Sequence, residues 1–262
     1  QGLNGWLWGL ITLDSMKYNI PAGSSYTRTE MIKKILSFQL PDDGFNLRFA
    51  QGSTADPDIT AMAIQALAPY YRNSTFNVKD PVDKALDCLS ELQLDTGDFR
   101  SWGTRNSESV SQIIVSLCSI GVDPQNDSRF IKNGINLLDA LFYYQQEDGG
   151  FAHSYESDPG NPSAIPGESN SIATDQALLA LVAVWRQAQG MSILYDFRPG
   201  SVSAKILTPE ESEVSFAGSY EFTEADQQQA DALPKKLSTE NDAEVTALLN
   251  KLKMSRDFDG YD

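Results

Sequence analysis

The segment Asp56-Pro-Asp58-Ile-Thr60-Ala61 carries the residue pattern best suited to acid chemistry. Two carboxylates stand two residues apart, and a threonine hydroxyl follows them. A carboxylic acid that donates a proton near neutral pH needs a raised pKa and a partner that holds its proton in position. The pattern makes Asp56 and Asp58 candidates for a proton donor and its partner.

The same residues also have a purely structural interpretation. Polar residues open the corresponding runs later in the chain, in Glu108-Ser-Val-Ser111 and in Ser171-Ile-Ala-Thr174. A polar side chain at the start of a helix accepts hydrogen bonds from the first free backbone N–H groups, and an acid there interacts favourably with the helix dipole. Capping is the simpler interpretation of Asp56 and Asp58, and acid catalysis stays open beside it.

The loop from Arg100 to Glu108 holds aromatic and basic side chains that suit the mouth of a ligand site. Trp102 is able to stack on a ligand, and Arg105 is able to pair with an anionic or polar group on it. In the alternative interpretation, Trp102 packs over helix ends while Arg105 pairs with Glu108. Both interpretations remain open from the sequence.

Two further loops complete the predicted ligand face. Arg48 follows Phe45, and Tyr155 follows Phe151. His153 is the only histidine of the chain and lies in a loop, so we expect it to be exposed and without a role. The predicted ligand-binding residues are Arg48, Asp56, Asp58, Trp102, Arg105 and Tyr155.

Metal and thiol chemistry have little support in the sequence. The two cysteines, Cys88 and Cys118, fall in neighbouring predicted helices and are more readily explained as small buried hydrophobic residues than as a disulfide. The segment Asp257-Phe-Asp-Gly-Tyr-Asp262 resembles the start of a calcium loop but lacks the later glutamate. We therefore predict no metal site and no cofactor.

A seven-residue sequence phrase occurs three times in the chain and separates the helices predicted to position these residues. It reads Gln39-Leu-Pro-Asp-Asp-Gly-Phe45, then Gln93-Leu-Asp-Thr-Gly-Asp-Phe99, then Gln145-Gln-Glu-Asp-Gly-Gly-Phe151. The phenylalanines lie 54 and 52 residues apart. A fixed period of this length indicates a repeat architecture, with a turn at each copy.

Each phrase separates two apolar-periodic runs. The runs before it contain charged residues and predict amphipathic outer helices, whereas the runs after it are rich in Ala, Ile, Leu and Val and predict buried inner helices. The outer runs are Met31 to Gln39, Val82 to Gln93 and Phe130 to Gln145, and the inner runs are Ile59 to Leu67, Ser109 to Leu117 and Ala173 to Leu181. Trp6 to Leu13 is in phase with the inner runs, so about seven alternating helices are expected.

This arrangement resembles the α/α-toroid superfamily, which includes triterpene cyclases, protein prenyltransferase β-subunits, complement thioester domains and cobalamin carriers. The repeated phrase is similar to the cyclases' Gln…Gly-x-Trp motif, with Phe in place of Trp. The resemblance covers roughly residues 1–196 and implies an all-α, partial α/α toroid, in a member of a bacterial-surface type. Because the first helix is already an inner one, we expect preceding helices of a longer protein to be missing. The alternative is an open toroid whose edge is covered by the C-terminal part or by another chain.

The resemblance also bears on function. Triterpene cyclases carry Asp-x-Asp-Asp-Thr-Ala where this chain has Asp56, Asp58, Thr60 and Ala61, and their middle Asp, here Asp58, protonates the substrate. Ile59 replaces the last Asp of that motif. The zinc ligands of prenyltransferases and the Cys-Gly-Glu-Gln of thioester domains have no counterpart. The remaining branch, the cobalamin carriers, binds a ligand without catalysis and adds a β-rich domain, which the C-terminal part of this chain matches poorly.

The composition limits the classes of molecule that the protein is expected to bind. The chain of 262 residues is 41% hydrophobic and 21% charged, with a net charge of −16. This acidity argues against nucleic acid and anionic membranes, which attract Lys/Arg clusters. No apolar run is long enough to cross a membrane. We expect a secreted or cell-surface protein whose partner is a small molecule, a glycan, a protein or another module of the same precursor.

The sequence divides into two predicted parts. Residues 1–196 form the toroid-like repeat domain, and residues 197–262 form an acidic linker or appendage of α+β or helical type. In the second part, Val202 to Leu207 and Val214 to Phe222 are β-like, and a helix is predicted after Ser238 from the spacing of Val245, Leu248, Leu249 and Leu252. The predicted function is a non-catalytic ligand-binding or interaction module, with a terpenoid-cyclase-like enzyme using Asp56 and Asp58, or a structural spacer, as alternatives.

Overall fold

A computed structural model describes residues 2–47 and 52–198, and all structural statements concern these residues. They form seven α-helices and one two-stranded antiparallel hairpin, so the all-α prediction is confirmed. The helices are α1 (Leu3–Ser15), α2 (Arg28–Leu36), α3 (Pro57–Leu67), α4 (Lys79–Leu92), α5 (Ser107–Ile120), α6 (Leu137–Phe142) and α7 (Ser171–Ala188). The strands are β1 (Arg100–Ser101) and β2 (Thr104–Arg105), and short 3-10 turns cover Ala68–Tyr70, Ser74–Phe76 and Ser128–Phe130.

Short polar side chains start most of these helices. Thr27 forms a capping box with Glu30 at α2, as its sequence predicts. Asp56, Asn106 and Asn170 each accept a backbone N–H in the first turn of α3, α5 and α7. The capping interpretation is therefore confirmed for Asp56, whereas α5 and α7 are capped by Asn106 and Asn170, which precede the segments expected to do so. Gly121 ends α5 in the left-handed conformation.

The three copies of the repeated phrase fold into the same turn. In the first copy, Leu40 N donates to Gly44 O and Asp43 N donates to Leu40 O. The second and third copies form the equivalent bonds, Leu94–Asp98 with Gly97–Leu94 and Gln146–Gly150 with Gly149–Gln146. Asp43, Gly97 and Gly149 have positive φ at the same place in each turn. The sequence repeat is thus a repeat of backbone hydrogen bonds.

The glutamine of the first two copies and the phenylalanine of all three hold the turn to the rest of the domain. The Gln39 amide donates to Asp43 O within the turn and to Pro81 O at the start of α4. Gln93 does the same with Gly97 O and Phe130 O. The phenylalanines that end the three phrases are buried in the core: Phe45, Phe99 and Phe151.

The residue before each phenylalanine meets the loop that leads into the next helix. A Cβ on Gly44 would lie 2.3 Å from the Ala55 Cβ, and one on Gly150 would lie 2.5 Å from the Ser169 Oγ. The second copy has Asp98 at this position. There the approach is replaced by an ion pair with Arg105, which occupies the place of Ala55 and Ser169.

We expect Gly44→Ala to lower the free energy of unfolding by about 1–3 kcal/mol, because the added methyl group overlaps Ala55 and crowds Cys88 Sγ and Thr60 Oγ1. Urea denaturation would measure the change. Gly2→Ala is the matched control, since a Cβ there meets nothing within 4 Å. Equal midpoints for the two variants would contradict the close packing inferred at this turn.

The odd-numbered helices pack in a row, α1 on α3, α3 on α5 and α5 on α7. Each even-numbered helix packs against the row, α2 on α1, α4 on α3 and α6 on α5. The prediction of buried inner helices is confirmed for α3 and α5. In α5, 13 of the 14 residues are buried. Among the described residues, no helix is long and apolar enough to cross a membrane.

The burial predicted for the third inner run, Ala173 to Leu181, is wrong for several of its large side chains. On α7 the small side chains of Ala173, Ala177, Ala180 and Ala183 face the core, while several of the large apolar ones face outward. The exposed side chains include Ile172, Leu178, Leu179 and Trp185. The alanines let α7 approach α5 closely, so the large residues are left on the far side, where no described element covers them. Trp8 on α1 is also 42% exposed.

The helix predicted from Phe130 to Gln145 is much shorter. A turn at Asn133 and Gly134, both with positive φ, breaks the run, and the Asn136 side chain then caps a helix of six residues. Asn-Gly favours such turns over helix. The segments predicted after residue 198, including the β-like runs, the last helix and the calcium-like Asp257 to Asp262, lie outside the described residues.

Candidate functional site

Asp56 joins α3 to the hairpin that precedes α5. Its Oδ1 accepts the Ile59 N–H at 3.0 Å, and its Oδ2 accepts the Ser101 hydroxyl at 2.7 Å. The side chain is buried, and Asp56 N donates to Phe45 O. One carboxylate therefore caps a helix and holds the hairpin against it.

A recess of about 330 Å³ opens beside this contact. Trp102 stands on its rim, in the turn of the hairpin, with positive φ and 65% of its surface exposed. The lining residues come from the loop before α3 and from the hairpin: Asn46, Thr54, Ala55, Asp56, Pro57, Arg100, Trp102 and Gly103. An open recess with an aromatic rim and mixed polar walls is a typical setting for a small polar ligand.

Arg100 braces the hairpin from its outer side. Its guanidinium donates to Gly103 O across the turn and forms two hydrogen bonds with the Glu156 carboxylate, at 2.9 and 3.1 Å. The hydrogen bonds from Arg100 lower the pKa of Glu156. The pair ties the hairpin to the loop after Phe151, so that the tip bearing Trp102 is held from two sides.

Asp58 is the second residue of α3, directly after the recess residues Asp56 and Pro57. Burial and the negative charge of Asp56 raise the pKa of its carboxyl to about 7, although hydrogen bonds with Ser109 and Ser101 act in the opposite direction. Its Oδ1 is buried and has no hydrogen-bond partner among the described residues. Asp58 is therefore a weak acid poised near neutrality, although it does not line the recess.

The expectation that His153 is an exposed bystander is wrong. The ring is buried, with Nδ1 2.8 Å from Glu108 Oε1 and Nε2 3.0 Å from Asp158 Oδ2. Burial lowers the pKa of His153, but hydrogen bonds and charge attraction from Glu108 and Asp158 outweigh it, so the net shift is upward. The His153 side chain links the start of α5 to the loop after Phe151.

The pairing suggested between Arg105 and Glu108 is also wrong. Arg105 Nε and Nη2 donate to Asp98 Oδ2 at 2.9 and 2.7 Å, and the Tyr144 hydroxyl donates to the same oxygen at 2.7 Å. Asp98 is almost fully buried. Arg105 is thus a structural residue of the second turn and does not line the recess.

Tyr155 packs among other tyrosines. Its ring stacks on Tyr144 with centroids 5.8 Å apart, and its hydroxyl donates to Tyr143 O. Gln146 Nε2 donates to the same hydroxyl at 3.0 Å. The ring is 45% exposed but lies outside the recess lining.

The structure therefore brings together part of the predicted ligand set. Asp56 and Trp102 line one recess, Asp58 follows its lining residues in the chain, and Arg105 and Tyr155 lie elsewhere; Arg48 is outside the described residues. Sequence reasoning missed Arg100 and Asn46 as lining residues. Their positions directly after Phe99 and Phe45 were the available signal.

Metal and thiol chemistry gain no support from the geometry. Among the residues at 2–47 and 52–198, no group of three or more His, Cys, Asp and Glu side chains is arranged to hold a metal ion. Cys88 and Cys118 are buried free thiols. Burial raises the pKa of each thiol to about 12, so both stay protonated at neutral pH.

Comparison with known proteins gives no assignment. No protein-family model matches this sequence, and no curated protein matches it with statistical significance.

Proposed function

We propose that this chain is a non-catalytic ligand-binding module, built on a partial α/α toroid of a secreted or cell-surface protein, and that it binds a neutral oligosaccharide at the recess beside Trp102. The observation that carries the proposal is the large exposed indole of Trp102 on the rim of a polar recess. The α/α-toroid assignment rests on the three equivalent turns and the row of paired helices.

The walls of the recess suit a sugar better than an ion. Asp56 and Arg100 contribute one charge of each sign, and Asn46 and Thr54 add uncharged polar groups. A pyranose ring has an apolar C–H face that packs on an indole and hydroxyl groups at its edge that both donate and accept hydrogen bonds. The indole of Trp102 suits the apolar face of such a ring, and the polar walls suit its hydroxyl groups.

An anionic ligand, which free helix N-termini would favour, is less suited to this face. One first-turn N–H group of α3, one of α5 and two of α7 already donate to the side chains of Asp56, Asn106 and Asn170. The helix ends therefore offer fewer N–H groups to a phosphate or carboxylate. The carboxylates of Asp56, Asp58 and Glu108 add negative charge to the same face.

Rigidity of the Trp102 tip supports binding. The hairpin is held by the Ser101–Asp56 hydrogen bond at 2.7 Å and by the Arg100–Glu156 pair. A side chain that is ordered before the ligand arrives loses less conformational entropy on binding. The tip therefore presents the indole in a fixed position.

The test is calorimetric titration with cellohexaose, xylohexaose and chitohexaose. We expect one of them to bind, and Trp102→Ala to weaken that binding by about 2 kcal/mol, roughly 30-fold, as the loss of an aromatic anchor does. Trp185→Ala is the matched control, because that indole is 56% exposed on α7, and it should bind as the unchanged protein does. Equal affinity in the Trp102 and Trp185 variants, or no binding by folded protein, would refute the proposal.

One observation favours a second candidate, a terpenoid-cyclase-like enzyme. The pKa of Asp58 is raised to about 7, as a proton donor at neutral pH requires, and its buried Oδ1 has no hydrogen-bond partner among the described residues. Against it, Asp56 is committed to capping, and the neighbouring recess of about 330 Å³ is small and has Trp102 as its single aromatic lining residue. Cyclised product from squalene that disappears in Asp58→Asn would support this candidate over the binding module.

A further inference from the structure

A second and larger cavity lies at the opposite ends of the same helices. Its volume is about 480 Å³, and it is bounded by residues near the C-terminal ends of α1, α3 and α5 and by the segment after α7. Ile11, Tyr70, Ile120 and Tyr195 supply apolar wall. The cavity is separate from the recess beside Trp102, with which it shares no lining residue.

The charged lining of this cavity is mostly basic. It contains the four cations Lys17, Arg28, Arg72 and Arg198 and the two carboxylates Asp14 and Asp196. The local balance is therefore positive in a chain whose net charge is −16. A concave site that carries charge opposite to the rest of the molecule concentrates ligands of the complementary sign.

Both carboxylates are already occupied by internal partners. Asp14 Oδ1 accepts Arg28 Nε at 2.6 Å, and its Oδ2 accepts the Tyr70 hydroxyl at 2.7 Å. Asp196 accepts the Arg198 backbone N–H and its guanidinium at Oδ1, and the guanidinium again at Oδ2. These acids therefore neutralise Arg28 and Arg198 and leave little to attract a cationic ligand.

Arg28 has a structural role that explains its presence. Its Nη2 donates to Leu13 O at 2.6 Å and to Tyr18 O at 2.8 Å, where α1 ends. Cations are favoured at helix C-termini because of the helix dipole and the free carbonyl groups. Lys17 also lies directly after the end of α1, but Lys17 and Arg72 are both exposed and form no ion pair with any described acid.

We propose that this cavity binds an amphipathic organic anion, with a single carboxylate or phosphate head group between Lys17 and Arg72 and an apolar body against Ile11, Ile120 and Tyr195. The two cations supply the charge that the head group requires. The apolar wall supplies burial for the body, which is the larger contribution to the affinity of such a ligand. The site is independent of the proposed saccharide recess.

The test uses probes that share one body and differ in the head group: octanoate, monooctyl phosphate, octan-1-ol and octylamine. We expect at least one of the anions to bind about tenfold more tightly than the alcohol and the amine, and its affinity to fall in about 0.5 M NaCl, where exposed charges are screened. The octanoate and octyl phosphate arms identify the head group. Equal binding of the alcohol, or no binding of either anion, would overturn the proposal.

The variant Lys17→Gln/Arg72→Gln tests the location. We expect it to lose about tenfold in affinity for the anion, while Lys33→Gln/Lys34→Gln on the exposed side of α2, with the same change of charge, keeps the affinity of the unchanged protein. Lys17 and Arg72 are both exposed, so the fold should tolerate their substitution. Unchanged affinity in the first variant would contradict the site, and the head-group comparison tests the charge requirement without any variant.

Discussion

Asp98→Ala is expected to lower the free energy of unfolding by about 3–5 kcal/mol, because it leaves a guanidinium and a phenol without their partner in the interior. Asp98 is 1% exposed. Its Oδ2 accepts three hydrogen bonds, two from Arg105 and one from the Tyr144 hydroxyl, and its Oδ1 accepts the Thr96 hydroxyl at 2.6 Å. Urea denaturation at neutral pH would measure the loss.

A second variant separates the lost pair from a general defect in the turn. In Asp98→Ala/Arg105→Met, no buried cation is stranded, so the double variant should lose less stability than the single variants summed. Asp80→Ala is the control for an exposed ion pair, with Lys84, and should change stability by no more than about 1 kcal/mol. A loss below about 1 kcal/mol in Asp98→Ala would contradict the role assigned to this pair.

Asp58→Asn is expected to stabilise the protein above neutral pH by about 2–4 kcal/mol and to have little effect in acid. The pKa of Asp58 rises from 3.8 to about 7 on folding, so the folded state binds the proton more tightly than the unfolded state. Stability is then highest below the unfolded pKa and falls as the pH rises from about 4 to about 7. Asparagine removes the charge and with it this loss.

The measurement is a series of urea titrations between about pH 4 and pH 9 on both proteins. The difference in free energy of unfolding between Asp58→Asn and the unchanged protein should grow with pH and level off above about pH 8. Asp80→Ala, which alters an exposed carboxylate at the start of α4, is the control. A difference that is constant with pH would show that Asp58 ionises normally in the folded protein.

Local features of the fold were predictable because short-range rules decide them. The spacing of Phe45, Phe99 and Phe151 led to three turns, and the same N–H to C=O bonds form in all of them. Asp56 was expected to cap a helix, and its carboxylate accepts the Ile59 N–H at the start of α3. In each case the interacting groups are close in sequence, so pattern and geometry nearly coincide.

The features that were missed depend on contacts between distant parts of the chain. The outward-facing leucines of α7 follow from its alanines packing on α5, which periodicity alone does not reveal. Arg105 pairs with Asp98 rather than with Glu108, which is nearer in sequence. Glu108 instead contacts His153, which lies 45 residues further along the chain. Within the candidate site, Asp56 was predicted from the pattern of carboxylates before α3 and Trp102 from its place in a loop. The contribution of Arg100 could be recognised only from the geometry of the hairpin.

The central claim is that the indole of Trp102 contacts the ligand. The chain has four tryptophans, and their indole N–H signals in a ¹H–¹⁵N NMR spectrum report separately on the core (Trp6), on α1 (Trp8), on the recess (Trp102) and on α7 (Trp185). Titration with the oligosaccharide that binds in calorimetry should move the Trp102 signal, assigned by its absence in Trp102→Ala, and leave the other three in place. Movement of the Trp8 or Trp185 signal with a stationary Trp102 signal would contradict the account and locate the binding surface elsewhere.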